Sequence, residues 1–521
     1  MRLPALSLLL HLAGIISLCA AQNITKLQQT LAAHGVSAVY KTSGNFKTLS
    51  QAFNRRFSVV PVGIAFPTSV AQVSAAVAAG SAQKLEVVAR SGGHSYIANG
   101  LGGTNGALVI DLSKMKAISV RAANGTAVIE TGNRLGDVTL ALNAAGRALP
   151  HGTCPYVRSL GYGGFGFAGR MWGLTLDTIK SATVVLANGT VATASAKVNT
   201  DLFWAIRGAS PSFGIVTSIE VQTFPAPPSV TVFSYSWDSL DITTASAAIA
   251  NLQTFATSNI PASLGAELVF GTGPSSGRLS VEWNGGYYGA ESSFAAIVKP
   301  YLQTLPKPSR SSVKPGTYLA SVTTFAQGQP VNTSTAADIP DTFYTKSILT
   351  PESAPMSAAA IKAFVTYMAK QGFSSDTSWF VEVELVGGRN SIINTVPLDA
   401  TAFAKRDTLF LIQFYASSAN NKPPYPSDGF AFVDGMVASI VNNEPAGWPY
   451  GAYLNYIDDK LTNGAYGSRS TLQCCSFPSL ILWIHAVLHA VCSNLEYEIE
   501  RKHQLLLLIG SRGSAKTFLK K

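Results

Sequence analysis

Charge is what this sequence has least of. Only 13% of its 521 residues are Asp, Glu, Lys or Arg, about half of the usual ~25%, which excludes a coiled coil or a charge-driven scaffold. Cysteine is scarce as well. There are five, with Cys19 near the start and Cys474, Cys475 and Cys492 near the end, so Cys154 stands alone between them. No run is apolar over the ~20 residues that a spanning helix needs, and no membrane partner is expected. In their place stand 47% hydrophobic residues, 45 glycines and 26 prolines. At roughly 100–200 residues per domain this is material for two or three domains with large cores, which rules out general disorder. A soluble, loop-rich α/β or α+β protein is expected.

The net charge of +10 raises the question of a nucleic-acid partner. Half of that charge sits at the ends: residues 461–521 hold seven Lys/Arg against three Glu, and Arg2 adds one more. The body shows no basic stripe interleaved with aromatics, so no nucleic-acid partner is expected. Residues 1–21 combine a basic start, an apolar stretch and small residues before Gln22. That is the pattern of a secretory signal peptide, too short for a stable span, and it predicts an extracellular protein. Four Asn-x-Ser/Thr acceptors, Asn23, Asn124, Asn188 and Asn332, agree with it. In a secreted chain an unpaired cysteine is unusual, so Cys154 is either an inert buried thiol or a chemical group.

The apolar stretch Val59-Val60-Pro61-Val62 is followed by helical spacing over 69–80, ending on Gly80, and by a strand-like 85–89. This is a β-α-β unit. It runs into Arg90-Ser91-Gly92-Gly93-His94-Ser95-Tyr96, a glycine-rich turn where backbone N–H groups can converge on phosphate. Strands at 107–111 and 127–130 and a helix near 135–145 lead to a second glycine-dense stretch over 151–170. Two such loops about 60 residues apart suggest the two ends of one long ligand. Within the second, Gly161-x-Gly163-x-x-Gly166 matches the dinucleotide fingerprint in letters only. That fingerprint needs a preceding strand, a helix opening at it and an acid about 20 residues on, whereas the nearest downstream acid is Asp177, so an NAD-type domain is not expected. From 229 to 430 amphipathic helices alternate with strands such as 278–283 and 379–385. The pleat puts Phe380, Glu382 and Glu384 on one face. An exposed edge strand and a polar active-site roof both explain those two acids.

Five segments are recognisable in order: Arg90-Ser-Gly-Gly-His-Ser-Tyr96, His151-Gly-Thr-Cys-Pro155, Trp172-Gly-Leu-Thr-Leu-Asp177, Asp201-Leu-Phe-Trp-Ala-Ile-Arg-Gly208 with Phe213-Gly-Ile-Val-Thr217, and Tyr453-Leu-Asn-Tyr-Ile-Asp458. Together they resemble the berberine-bridge-enzyme-like branch of the vanillyl-alcohol-oxidase family, especially its secreted fungal carbohydrate oxidases of the glucooligosaccharide-oxidase kind. The resemblance covers roughly residues 40–460. It implies an α+β fold: a PCMH-type FAD-binding domain of two α/β subdomains over 22–228, a substrate domain with a helix-covered antiparallel sheet over 229–430, and a return to the FAD domain over 431–460.

The resemblance also implies FAD held by two covalent bonds, through His94 and Cys154, which would explain the lone thiol. Arg90, Ser91, Gly92, Gly93, Ser95, Gly161, Gly163, Gly164, Ile215, Val216 and Asn455 are assigned to the cofactor, and Tyr96, Phe380, Glu382 and Gln413 to the substrate. In the resembling oxidases the strand matching 379–385 supplies a glutamine and an aspartate, where this chain has Glu382 and Glu384. The expected reaction oxidises an alcohol carbon, the anomeric carbon of an oligosaccharide, with dioxygen as acceptor. Tyr456 acts as base with Glu384, and Tyr453 stands in reserve. A tyrosine needs a depressed pKa or a concerted transfer for that role. A secondary-metabolite oxidase and an inactive flavin-fold protein are the alternatives, and a monomer is expected. His485 and His489 lie at i, i+4 without further oriented ligands, so no metal site is predicted. Two departures stand out. The stretch between Cys154 and Gly163 is about three residues short of the family pattern, and residues 461–521 lack the family's closing segments. A surface appendage and a gene-model artefact both explain that tail, the artefact being preferred.

Overall fold

A computed structural model of the chain describes residues 24–157 and 161–460. The signal peptide, Asn23, residues 158–160 of the second glycine loop and the tail 461–521 lie outside the described residues, as do the readings attached to them.

The chain first builds β1 (Ser37–Val39), β2 (Gly63–Phe66), β3 (Val87–Arg90) and β4 (Leu108–Asp111), ordered β1-β2-β4-β3. β2, β4 and β3 run parallel, and β1 is antiparallel to β2. β2 begins at Gly63 rather than within 59–62, beyond Pro61, which has no N–H for a ladder. The helix Val70–Ala82 makes the crossover, and its N-cap Ser69 accepts the Gln72 N–H at 3.3 Å, a cap worth about 1 kcal/mol. Gly80 does not end this helix. A Cβ there would lie 2.5 Å from Val87 Cγ2, so the glycine lets helix and strand approach. β3 delivers the chain directly into the first glycine loop.

β5 (Ile118–Arg121), β6 (Thr126–Glu130), β7 (Arg147–Ala148), β8 (Ile179–Val185), β9 (Val191–Ser195), β10 (Ile215–Gln222) and β11 (Phe224–Pro225) follow. Five of them form an antiparallel sheet in the order β5-β6-β10-β8-β9, and β7 pairs with β11. The helices Leu135–Ala144 and Thr200–Ala209 bury Val138, Leu142, Phe203 and Ile206 in one cluster with Ile129, Val184 and Ile219.

The third sheet comprises β12 (Val230–Asp241), β13 (Leu264–Thr272), β14 (Arg278–Tyr287), β15 (Arg310–Gly316), β16 (Phe343–Thr350), β17 (Thr377–Leu385) and β18 (Phe410–Ser418). Its order is β15-β12-β14-β13-β17-β18-β16, antiparallel throughout. The helices Ile242–Thr257, Glu291–Leu302, Ala358–Gln371 and Ser427–Val441 cover one face, sealing Phe270, Trp283, Phe364 and Phe414 in the largest core. Asp241 and Ser357 cap two of them, accepting the N–H groups of Thr244 and Ala360 at 2.9 and 3.1 Å. Period-two alternation then puts Glu267, Glu282, Asn284, Glu382, Glu384 and Gln413 on the opposite, polar face. β17 lies between β13 and β18, so the exposed-edge explanation of Glu382 and Glu384 falls.

Arg170 ties the second glycine loop to this sheet. It is fully buried, and its guanidinium donates to the carbonyls of Gly387, Pro261, Leu264 and Arg389 at 2.7–2.9 Å. Burial pulls its pKa down to about 10.

Candidate active site

The first glycine loop is braced by side chains predicted to touch a cofactor. Arg90 donates from Nε to Asp111 and from Nη1 to the Leu49 carbonyl at 2.6 Å, which commits its guanidinium to the loop's base. Ser91 donates its hydroxyl to the Thr131 carbonyl, and Thr131 in turn bonds the Val216 carbonyl at 2.6 Å. That chain links the loop to the start of β10, where Ile215 is buried and Val216 partly so. Gly92 and Gly93 turn the backbone, Gly93 at φ +79°, a conformation that favours glycine. Ser95 Oγ accepts the Asn99 N–H at 3.0 Å. The loop therefore presents the His94 ring, tilted against Phe53 with centroids 4.2 Å apart, with Nε2 at 2.6 Å from Asp338 Oδ2. The contact is not aligned as a hydrogen bond, so Nε2 has no hydrogen-bond partner, and Asp338 Oδ1 is likewise buried without one.

The second loop folds onto the Tyr453-Leu-Asn-Tyr motif. The Tyr453 hydroxyl accepts the N–H groups of Gly164 and Phe165 at 3.0 and 3.3 Å and the Asn455 amide at 2.8 Å. Gly163 and Gly164 carry φ of +154° and +80°, and a Cβ on Gly163 would fall 2.6 Å from that hydroxyl. The carbonyls of Gly163 and Gly164 accept from Leu176 and Thr175, and that of Gly161 from Gly208. Residues 151–157 form no strand ahead of the glycines, and Asp177 is paired with Arg406 at 2.6 and 2.9 Å, which speaks against the dinucleotide reading. Tyr453, the reserve base, is a brace of the loop, and Asn455 acts through it. Cys154 is a free thiol that burial keeps protonated, and the Asp338 carboxylate acts on it in the same direction.

The polar face of the third sheet forms the floor. Tyr456 reaches Glu384 Oε1 at 3.4 Å and stacks on Tyr96 at 6.0 Å and 9°. Gln413 donates to the Tyr96 hydroxyl at 3.2 Å. Phe380 stacks on Tyr415 at 4.8 Å, Tyr415 on Phe343 at 4.6 Å, and Phe343 meets Tyr96 edge-on at 4.8 Å, giving a continuous aromatic row. Burial raises the pKa of both Tyr456 and Glu384, the latter also because Glu382 and Glu267 repel its charge.

An imidazole in contact with a carboxylate that also acts on the Cys154 thiol, with buried atoms on His94 and Asp338 that make no hydrogen bond, fits a group bonded at both positions. A family model described as an FAD binding domain matches residues 61–195. Over 429 residues the chain is 39% identical to a chitooligosaccharide oxidase of Gibberella zeae, spanning 81% of this chain and 84% of that protein. The chain belongs to the berberine-bridge-enzyme-like FAD-linked oxidases. Among solved structures, a glucooligosaccharide oxidase from Acremonium strictum, described with a 6-S-cysteinyl, 8α-N1-histidyl FAD, superposes with a TM-score of 0.79 at 33% identity, covering 86% of this chain and 94% of that one. BBE-like 1 of Physcomitrella patens superposes with a TM-score of 0.75 at 32% identity, covering 86% of this chain and 94% of that one.

This member of the family is thus an FAD-dependent oxidoreductase, and its structure adds residues that sequence reading missed. Glu267 joins Glu382 and Glu384, Asp338 contacts His94 and acts on the Cys154 thiol, and Phe343 and Tyr415 complete the aromatic row. Glu267 alone carried a signal in the sequence, as a single acid inside the apolar strand Leu264–Thr272.

Proposed function

We propose that this oxidase acts on the anomeric carbon of a reducing-end sugar in an oligosaccharide, yielding a lactone, with FAD linked to both His94 and Cys154. The observation that carries the reading is the Tyr456–Glu384 contact beside Tyr96 and Gln413, at the end of an aromatic row suited to the apolar faces of sugar rings. The relatives named for chitooligosaccharides and glucooligosaccharides support the substrate class.

FAD, when bound, supplies the hydride acceptor and hands the electron pair to dioxygen, giving hydrogen peroxide. The protein manages the proton. A resting phenolate at Tyr456 is disfavoured, because burial and the charges of Glu384 and Glu382 raise its pKa. Tyr456 therefore takes the anomeric proton in concert with passing its own to Glu384, whose raised pKa makes its carboxylate a stronger base than usual. Gln413 and Tyr96 orient the sugar. The site excludes water: Glu384, Gln413 and Tyr453 are all under 9% exposed.

Secretion is part of the proposal, supported by exposure of Asn124, Asn188 and Asn332. A peroxide assay over cello-, xylo- and chitooligosaccharides, run against phenolic and alkaloid alcohols, tests the reading. Peroxide with an aldonic acid from the sugars is expected, and turnover confined to the phenolic or alkaloid alcohols overturns it.

A further inference from the structure

Glu267, Glu382 and Glu384 bring carboxylate oxygens within 4.8 Å of one another on the floor of the site. Register explains the cluster: Glu267 on β13 lies opposite Glu384 on β17, and Glu382 follows two residues away on the same face. Glu267 and Glu384 are 7% and 8% exposed. Glu384 Oε1 meets Tyr456, and its Oε2 is buried with no hydrogen-bond partner. The charges acting on Glu267 are those of Glu382 and Glu282, and those on Glu384 are Glu382 and Glu267, all carboxylates. Lys346 on β16 is engaged elsewhere, by Asp458 at 3.2 Å and Asp434 at 3.5 Å.

One carboxylate suffices for the proton relay through Tyr456. Two more are a costly way to meet neutral hydroxyls, since buried like charges repel and must be neutralised. An amide serves neutral hydroxyls without that cost, as Gln413 serves Tyr96 from β18. We propose that the Glu267–Glu382–Glu384 triad selects a cationic sugar, an oligosaccharide whose reducing-end residue carries a free amine at C2. The anomeric hydroxyl meets Tyr456, and the ammonium on the adjacent carbon lies among the three acids. This rests on the oligosaccharide reading above and narrows it.

The groups facing the triad are Glu282 and Asn284 from β14, Gln413 from β18, Tyr96 from the first glycine loop, and Tyr456. Without an ammonium, burial and mutual repulsion raise all three acids, Glu382 to about 7, so the cluster keeps protons on Glu267 and Glu382 while the Tyr456 hydroxyl, donating to Glu384, holds the remaining charge there for the relay. An ammonium stabilises the ionised forms, so its binding releases protons.

The test uses the flavin-loaded full chain at slightly acid pH, where a sugar amine is charged. Glucosamine disaccharide from chitosan, its N-acetylated counterpart and cellobiose are compared by kcat/KM, and by calorimetric titration in two buffers of different ionisation enthalpy. The glucosamine disaccharide is expected to be favoured at least about tenfold over cellobiose, with protons released on binding. Glu382→Gln is expected to narrow that ratio about tenfold. Equal or better use of cellobiose or the N-acetylated disaccharide, or binding without proton release, overturns the proposal. If neutral sugars are turned over and the amine is not, only the triad proposal falls. If none of the three reacts or binds, the oligosaccharide reading falls with it.

Discussion

Replacing Tyr456 by Phe removes the hydroxyl that touches Glu384 at 3.4 Å and leaves the ring stacked on Tyr96 and edge-on to Tyr453 at 5.2 Å. A positioned acid–base group contributes about 10²–10⁴ in rate, which at about 1.36 kcal/mol per tenfold is roughly 3–5 kcal/mol of barrier. Tyr456→Phe should therefore lower kcat by about 10²–10⁴. The fold should survive, because the change leaves one more carboxylate oxygen unpaired, at roughly 1–3 kcal/mol. Glu384→Gln should lose a comparable factor, and the double variant should be no slower than the worse single one, since Tyr456 and Glu384 pass one proton along one path. The assay is the rate of flavin reduction in rapid mixing with a reducing oligosaccharide, with thermal unfolding in parallel. A Tyr456→Phe enzyme within about threefold of the parent rate, or losses that multiply in the double variant, would refute the relay.

Arg170→Ala strands four carbonyls, two of them in fully buried hydrogen bonds, and at about 1–3 kcal/mol for each of those two should destabilise the protein by about 2–6 kcal/mol, read as a large drop in denaturant midpoint. Glu382 keeps its proton from the ordinary 4.5 up to about 7. The folded state therefore binds more protons than the unfolded one in that window, and stability should fall by at most about 3 kcal/mol as pH rises through it. Glu382→Gln should flatten that slope and raise the melting temperature above neutral pH. An unchanged slope would remove Glu382 as its source. Cys154→Ser should leave FAD attached through His94 alone, detectable as a flavin mass on the His94 peptide only, whereas an unaltered flavin pattern would exclude the thioether.

Local patterns were legible in the sequence, and cross-strand geometry was not. The spacing over 69–80 announced the crossover helix, and the alternation in Trp379-Phe-Val-Glu-Val-Glu-Leu385 announced which face Glu382 and Glu384 share. The glycine loops and the Tyr-x-Asn-Tyr motif lie within single stretches of chain and were found as such. Glu267 shows in the sequence only as a lone acid in an apolar stretch, and its place opposite Glu384 depends on β13 pairing with a strand more than a hundred residues away. Asp338 and Phe343 reach the site for the same reason, from segments with no motif of their own. Arg90, Asn455 and Tyr453 lie in the loops that their motifs mark. Their hydrogen bonds, which one-dimensional reading cannot supply, make them braces of those loops.

The most direct test is anaerobic mixing of the purified protein with a reducing oligosaccharide, and with the same oligosaccharide reduced to its alditol, while the flavin absorbance is followed. Rapid bleaching of a protein-bound flavin by the sugar is expected, and none by the alditol, which has no anomeric carbon. A protein that carries no flavin, or one that both compounds bleach at the same rate, would contradict it.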